Sequence, residues 1–160
     1  MLFVMSNVCF VRTVCLCAPL QILFASNSLP IRHLDNFCAT TPIVMSNRGA
    51  SGIDGILHTG LGVALGSGSR STILVGDLAA LHDLNALATL RKTGAHLVVV
   101  ILNNQGGGIF RFLPIASHDI FSPYFDTPHE HDFASICEGF GLPYTVAPTV
   151  CVPQRARKPA

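Results

Sequence analysis

Two short apolar runs dominate the pattern of the chain, and each ends at a polar or glycine-rich cluster. Residues 72–75 are followed by Gly76 and Asp77, and residues 97–102 are followed by Asn103 and Asn104. Both runs are continuously apolar, which predicts strands buried on both faces. Helical spacing over residues 81–90 predicts a helix between them. This strand–helix–strand unit predicts an α/β fold, with a parallel sheet and helices on both faces.

Weaker patterns predict further elements on either side of this unit. Pro is favoured in the first turn of a helix, and Asp132 is a suitable N-cap. Gly94 and Gly141 are placed to end helices. Residues 1–20 show no periodic signal. The predicted elements are strands at 21–25 and 43–45, a helix from Pro30, a glycine-rich helix at about 54–65, a helix from Asp132 to Phe140, and a strand from Tyr144.

Two stretches leave alternatives open. Gly55, Gly60 and Gly62 lower helix propensity. They fit either tight packing of the helix on the sheet or close approach to a ligand. Residues 109–114 are unusually apolar for a loop that follows a strand. They fit either the wall of a substrate site or a short helix packed in the core.

The ends of the two central strands predict a binding site. Parallel strands of one crossover end on the same rim of the sheet, where open α/β sheets bind ligands. Asp77 and Asn104, 27 residues apart, therefore meet at this rim. A carboxylate, an amide oxygen and glycine carbonyls are hard oxygen ligands. They suit Mg²⁺, with a diphosphate completing its octahedron.

Composition narrows the function. The chain has 160 residues, of which 49% are hydrophobic and 12% charged, and its net charge is +1 with no basic stripe. Nucleic-acid binding is therefore not predicted. The six cysteines form no CxxC pair, which predicts scattered reduced thiols. Polar residues and prolines interrupt residues 13–31, so stable membrane insertion is not predicted. No metal site is predicted at His129 and His131.

Four longer motifs resemble the thiamine-diphosphate enzymes. They are SNSLPIR (26–32), SNRGASGIDG (46–55), GDLAALHDLNAL (76–87) and NNQGGGIFRFLP (103–114). Within that family they resemble the 2-succinyl-5-enolpyruvyl-6-hydroxy-3-cyclohexene-1-carboxylate synthases of menaquinone and phylloquinone biosynthesis. The resemblance implies the diphosphate-binding, C-terminal type of domain, present in part. It divides the chain into a divergent segment (1–20), the domain (21–146) and a basic tail (147–160).

The resemblance implies a cofactor, thiamine diphosphate, and a metal, Mg²⁺ or Mn²⁺. Asp77 and Asn104 match its side-chain metal ligands, and Gly106 matches the ligand that uses a backbone carbonyl. Ile53 matches the apolar residue that props the bent cofactor. The residues that it assigns to cofactor binding are Gly52, Ile53, Gly76, Asp77, Leu78, Ala79 and Asn104.

The resemblance also implies the substrates, 2-oxoglutarate and isochorismate, both of which carry carboxylates. Arginine binds carboxylates in a bidentate manner. Without the motifs, ordinary surface arginines are the favoured interpretation of Arg32 and Arg48. The implied reaction decarboxylates 2-oxoglutarate and adds the succinyl-semialdehyde unit to isochorismate. The residues matched to the substrate pocket are Asn27, Ser28, Arg32, Arg48, Ile109, Phe110 and Leu113.

The glutamate that activates the cofactor in this family belongs to a different domain, and no residue of this sequence matches it. No catalytic residue is therefore assigned, and a catalytically incomplete fragment is one alternative. Another thiamine-diphosphate enzyme, such as a decarboxylase or an acetohydroxyacid-synthase-like enzyme, is a second. The resemblance further implies a homo-oligomer, dimer or tetramer. It places the pathway in the cytoplasm, or in the plastid of a phototrophic eukaryote.

Overall fold

A computed structural model of the chain describes residues 2–5, 14, 21–38, 43–47, 49 and 51–146. The described strands are β1 (Leu2–Met5), β2 (Ile22–Ala25), β3 (Ile43–Met45), β4 (Ser71–Gly76), β5 (Leu97–Leu102) and β6 (Tyr144–Val146). The described α-helices are α1 (Leu29–Phe37), α2 (Ile56–Ser67), α3 (Asp77–His82), α4 (Asn85–Thr93) and α5 (Phe133–Gly139).

The described strands form one parallel sheet in the order β3-β2-β4-β5-β1-β6. The two central strands pair in register from Ser71 opposite Leu97 to Gly76 opposite Leu102. They therefore end at the same level, and the residues that follow them share one rim of the sheet. The predicted parallel α/β fold is confirmed.

Two apolar clusters cover opposite faces of the sheet. Ile73 and Val75 point into the larger cluster, which contains residues of α2, α3, α4 and α5. Leu74 points to the other face, where it packs with Leu34 of α1 and with Val14. Because alternate residues of β4 enter opposite clusters, this strand is buried on both faces. That burial explains why its sequence is continuously apolar.

The structure departs from the sequence analysis near the N-terminus. Residues 2–5 form a strand between β5 and β6, although residues 1–20 carry no periodic signal. Four residues are too few for a period to be recognised. The strand is stabilised by partners that lie far away in the sequence, so local pattern does not reveal it.

The helix predicted over residues 81–90 is wrong as a single element. It is divided into α3 and α4 at Asp83, a buried residue. The Asp83 carboxylate accepts a hydrogen bond from the backbone N–H of His58 (3.0 Å) and contacts His58 Nδ1 (2.6 Å). These contacts hold the first turn of α2 against the junction. A partner 25 residues away thus overrides local helical spacing.

The predicted helix ends are confirmed at Gly94 and Asp132. Gly94 has a φ of 60° and ends α4 with an N–H···O bond to Leu90. Asp132 accepts hydrogen bonds from the backbone N–H groups of Ala134 and Ser135 at the start of α5. The hydrogen bond from the Ser135 hydroxyl lowers the pKa of Asp132 most, and the hydrogen bonds from these two N–H groups lower it further.

The cysteine prediction needs one correction. Cys38 is disulfide-bonded, which contradicts the expectation of a reduced thiol at this position. The distance between two sulfurs depends on the fold, so spacing along the chain does not reveal it. Cys137 is a buried free thiol, and burial raises its pKa.

Among the described residues, no helix has the length and apolar character needed to cross a membrane.

The glycine-rich helix α2 packs tightly on the sheet at one position. A Cβ on Gly60 would lie 2.5 Å from Ile73 Cδ1 and 3.1 Å from Phe24 Cδ1. A Cβ on Gly62 would have no neighbour within 4 Å. Close packing on the sheet therefore explains Gly60, but it does not explain Gly62.

We predict opposite effects of alanine at these two glycines. Gly60→Ala overpacks the core and should lower the free energy of unfolding by about 1–3 kcal/mol. Gly62→Ala is the matched control, since it places a better helix former at an exposed position and should raise stability by up to about 1 kcal/mol. Urea unfolding measures both. Equal effects of the two substitutions would contradict tight packing at Gly60.

Candidate functional site

A cavity of about 770 Å³ lies at the rim where β2, β4 and β5 end. It is lined by the residues that follow these three strands and by the loop before α2. A volume of this size is typical of sites for small molecules and cofactors. We call it the rim cavity. All residues that the resemblance assigns to the cofactor line it: Gly52, Ile53, Gly76, Asp77, Leu78, Ala79 and Asn104.

Asp77 joins the ends of the two central strands. It is 2% exposed, and its Oδ1 accepts a hydrogen bond from the N–H of Leu78 (2.8 Å). Its Oδ2 accepts from the backbone N–H groups of Asn104 (3.1 Å) and Gly106 (3.0 Å). Bonds from several N–H groups stabilise an ionised carboxylate in a buried place. The carboxylate therefore fixes the loop after β5 against the end of β4.

Three oxygen-bearing groups converge at the rim, namely the Asp77 carboxylate, the Asn104 amide and the Gly106 carbonyl. One end of the Asn104 side-chain amide lies 3.2 Å from Asp77 Oδ2 and 2.8 Å from the carbonyl oxygen of Gly106. With nitrogen at this end, the amide donates hydrogen bonds to both oxygens. With oxygen at this end, the three oxygens need a cation between them. Neighbouring ligands of an octahedron with Mg–O bonds of about 2.1 Å lie about 3 Å apart, so the spacing fits Mg²⁺.

No group of three or more His, Cys, Asp or Glu side chains that could hold a metal occurs within the described part of the chain. The predicted ligands are of a different kind, with one carboxylate, one amide and one backbone carbonyl. Such a mixed oxygen set suits Mg²⁺, which is usually bound by one or two carboxylates together with phosphate oxygens.

Glycines in the loop after β5 allow a second chain segment to approach. A Cβ on Gly106 would collide with the carbonyl oxygen of Asp126, and one on Gly107 with that of Phe125. The N–H of Gly107 donates to Asp126 O at 2.6 Å. We call the loop after β5, residues 103–108, the glycine loop. We call residues 122–133 the backing segment, because they pack behind the glycine loop. The sequence patterns assign no helix or strand to residues 122–131.

The loop before α2 is held by Asn27. Its Nδ2 donates to the carbonyl oxygen of Gly52 at 3.3 Å. The neighbouring Ile53 is 40% exposed although it is large and apolar, and it lines the rim cavity. This position fits its predicted contact with a cofactor.

The residues predicted to bind substrate are placed in different ways. Asn27, Ser28 and Arg32 line the rim cavity together with Ile109 and Phe110. Leu113 is half exposed and is not among the described lining residues. Arg48 lies outside the described residues. Their substrate contacts remain predictions.

Arg32 is exposed and retains unused donors. Its Nη1 donates to the carbonyl oxygen of Ser28 at 2.8 Å, which turns the guanidinium back towards the start of α1. Among the described residues, no carboxylate forms a salt bridge with it. A guanidinium beside a cavity, without a described anionic partner, can receive the carboxylate of a ligand.

The apolar stretch after the glycine loop lies at the cavity rather than in the core. Residues Gly108–Phe112 form a 3₁₀ helix, and Phe112 is 78% exposed. The short-helix alternative is thus right about helical structure and wrong about the core. Arg111 pairs with Asp126 of the backing segment through two bonds of 3.0 Å, which sequence analysis missed. The hydrogen bond and the charge of Asp126 raise the pKa of Arg111.

Sequence analysis also missed His129. Its side chain is 7% exposed, and its Nε2 lies 3.3 Å from Asp77 Oδ2. The TPHEH sequence around it gives no signal for this contact, because the two residues are far apart along the chain.

Comparisons with known proteins agree with this geometry. A family model described as "Thiamine pyrophosphate enzyme, C-terminal TPP binding domain" matches residues 39–158. A curated 2-succinyl-5-enolpyruvyl-6-hydroxy-3-cyclohexene-1-carboxylate synthase from Rubrobacter xylanophilus is 55% identical over 127 residues, 77% of this chain and 22% of the relative. The synthase of the same name from Pelodictyon phaeoclathratiforme is 48% identical over 134 residues, 81% of this chain and 23% of the relative. The chain thus spans about a fifth of the length of these relatives.

A solved structure has the same fold. The Rhodococcus jostii thiamine diphosphate-dependent 4-hydroxybenzoylformate decarboxylase superposes with a TM-score of 0.67 over 86% of this chain and 26% of that chain. Its sequence identity is 22%, so this likeness establishes the fold alone. Together, the comparisons confirm the family resemblance carried by the four motifs.

Proposed function

Because the chain belongs to the family of thiamine pyrophosphate enzymes and carries their C-terminal TPP-binding domain, we propose that its rim cavity binds Mg²⁺ and thiamine diphosphate. We further propose that it serves a synthase that decarboxylates 2-oxoglutarate and adds the succinyl-semialdehyde unit to isochorismate in menaquinone biosynthesis. The convergence of Asp77, Asn104 and Gly106 oxygens at the rim carries the proposal. The names of the most similar relatives support the choice of reaction.

In this proposal, the residues at the two strand ends hold the metal and the diphosphate. The Asp77 carboxylate, the Asn104 amide oxygen and the Gly106 carbonyl oxygen bind Mg²⁺. Leu78 and Ala79 line the cavity directly after Asp77, where their backbone would hold the diphosphate. Since Asp77 also binds the backbone of Asn104 and Gly106, the ligands are held close together before the metal arrives. Such preorganisation lowers the cost of ordering on binding.

Residues before α2 shape the other part of the cofactor site. Ile53 lines the cavity with an apolar side chain that would support the cofactor. Asn27 holds the Gly52 carbonyl, which leaves a second lone pair of that oxygen for an amine of the cofactor. Thiamine diphosphate, when bound, supplies the electron sink for decarboxylation. Arg32 binds the carboxylate of the substrate and thereby orients the substrate. Ile109 and Phe110 exclude water from one side of the cavity.

The proposal treats this chain as the metal and diphosphate part of the site. The family's activating glutamate matches no residue here, so we propose that the 160-residue chain binds the cofactor without turning over substrate. Isothermal titration calorimetry of the purified chain tests binding, with thiamine diphosphate added in the presence and absence of Mg²⁺. Binding that requires Mg²⁺ is the expected result. Binding that is equal with and without Mg²⁺ would contradict the proposed metal site.

We predict that Asp77→Asn abolishes Mg²⁺-dependent binding of thiamine diphosphate. The substitution keeps the size of the side chain and removes its charge, which is the hard anionic ligand of the set. Asp54→Asn is the matched control, because the Asp54 side chain is 82% exposed and lies 3.6 Å from His82. Calorimetry on both variants gives the comparison. If Asp77→Asn binds the cofactor like the unchanged chain, Asp77 is not a metal ligand.

A second prediction concerns the carboxylate substrate. In the chain loaded with Mg²⁺ and thiamine diphosphate, Arg32→Gln should weaken binding of 2-oxoglutarate about tenfold to a hundredfold. Hydrogen bonds to charged groups contribute about 1.5–3 kcal/mol, and each 1.4 kcal/mol changes affinity about tenfold. Arg70→Gln, at an exposed arginine just before β4, is the control. Unchanged affinity in Arg32→Gln would remove Arg32 from the substrate site.

A further inference from the structure

His129 has a buried side chain to which neither the motifs nor the proposed reaction gives a role. Its side chain is 7% exposed, and that of Asp77 is 3% exposed. The Nε2 atom is the only buried side-chain nitrogen or oxygen of the described residues that lacks a hydrogen bond. Buried polar groups are nearly always paired, so an unpaired ring nitrogen requires an explanation. Its neighbour is Asp77 Oδ2, at 3.3 Å.

The other ring nitrogen defines where the proton lies. The backbone N–H of His131 donates to His129 Nδ1 at 3.3 Å. A neutral imidazole that accepts at Nδ1 carries its hydrogen on Nε2. The Nε2–H group therefore faces the Asp77 carboxylate as a donor. The contact falls short of good hydrogen-bond geometry, and a small shift of either group completes it.

The backing segment holds the ring in this place. His129 stacks on His131 with centroids 5.4 Å apart and meets Phe133 edge to face at 6.4 Å. Before it, Asp126 is tied to the glycine loop through the N–H of Gly107 and to Arg111 through two bonds. The segment is thus connected to the glycine loop on one side and positions His129 against Asp77 on the other.

We propose that His129 is a positioning residue, which orients the Asp77 carboxylate for Mg²⁺ by donating Nε2–H to it. The inference rests on the proposed function, since it assigns a second contact to the same metal ligand. The conformation of the backing segment is thereby coupled to the proposed metal site. Removal of a side chain that hydrogen-bonds to a metal ligand typically lowers the metal affinity about tenfold to a hundredfold.

Calorimetry on two substitutions separates donation from packing. His129→Phe keeps an aromatic ring beside Phe133 and removes the donor, so it should weaken Mg²⁺-dependent binding of thiamine diphosphate about tenfold to a hundredfold. His129→Gln keeps an N–H at a similar reach and should restore most of the affinity. His131→Phe is the matched control, because His131 is exposed and stacks on the same ring. Binding by His129→Phe that matches the unchanged chain would overturn the proposal.

Nitrogen NMR of the histidine rings tests the same contact without cofactor or activity. The unchanged chain should show His129 with its hydrogen on Nε2, and Asp77→Asn should shift that resonance. Hydrogen on Nδ1, or a ring resonance that does not respond to Asp77→Asn, would overturn the proposal. If the unchanged chain fails to bind Mg²⁺ and thiamine diphosphate, the proposed function fails, and the ring resonances still decide the His129 contact. They also decide it if His129→Phe does not fold.

Discussion

The hydrogen bonds of the buried Asp77 carboxylate are the constraint on which the candidate site depends. They join the end of β4 to the backbone of Asn104 and Gly106 after β5. Strand pairing alone brings the two strand ends to one rim, but it does not shape the loops that follow them. The carboxylate does this by accepting hydrogen bonds from backbone N–H groups, and among the described residues no lysine or arginine forms a salt bridge with it. The proposed metal ligand is therefore also a structural residue of its own loop.

The glycine loop links Asp77 to the backing segment. Gly106 and Gly107 lack side chains where the carbonyl oxygens of the backing segment approach, so two distant stretches of chain pack against each other. The backing segment returns His129 to Asp77. The site is therefore enclosed on its inner side by the chain itself and open on the side of the rim cavity, where Ile53 and Arg32 lie.

Sequence reasoning located the centre of this site because its residues follow directly from local pattern. Asp77 and Asn104 lie at the ends of two apolar runs, and parallel strands of one crossover must end together. The missed features all depend on contacts between distant residues. The break at Asp83 depends on His58, and the position of His129 depends on a fold that brings residues 122–133 behind the glycine loop. No period or propensity encodes such contacts.

The central claim is that three oxygens at the ends of β4 and β5 hold a divalent cation together with a diphosphate. The most direct measurement is an anomalous difference map from crystals of the chain grown with thiamine diphosphate and Mn²⁺. We predict one Mn²⁺ peak within coordination distance of the Asp77 carboxylate, the Asn104 amide oxygen and the Gly106 carbonyl oxygen, with the diphosphate beside Leu78 and Ala79. An ordered cofactor whose Mn²⁺ lies away from these three oxygens would contradict the account.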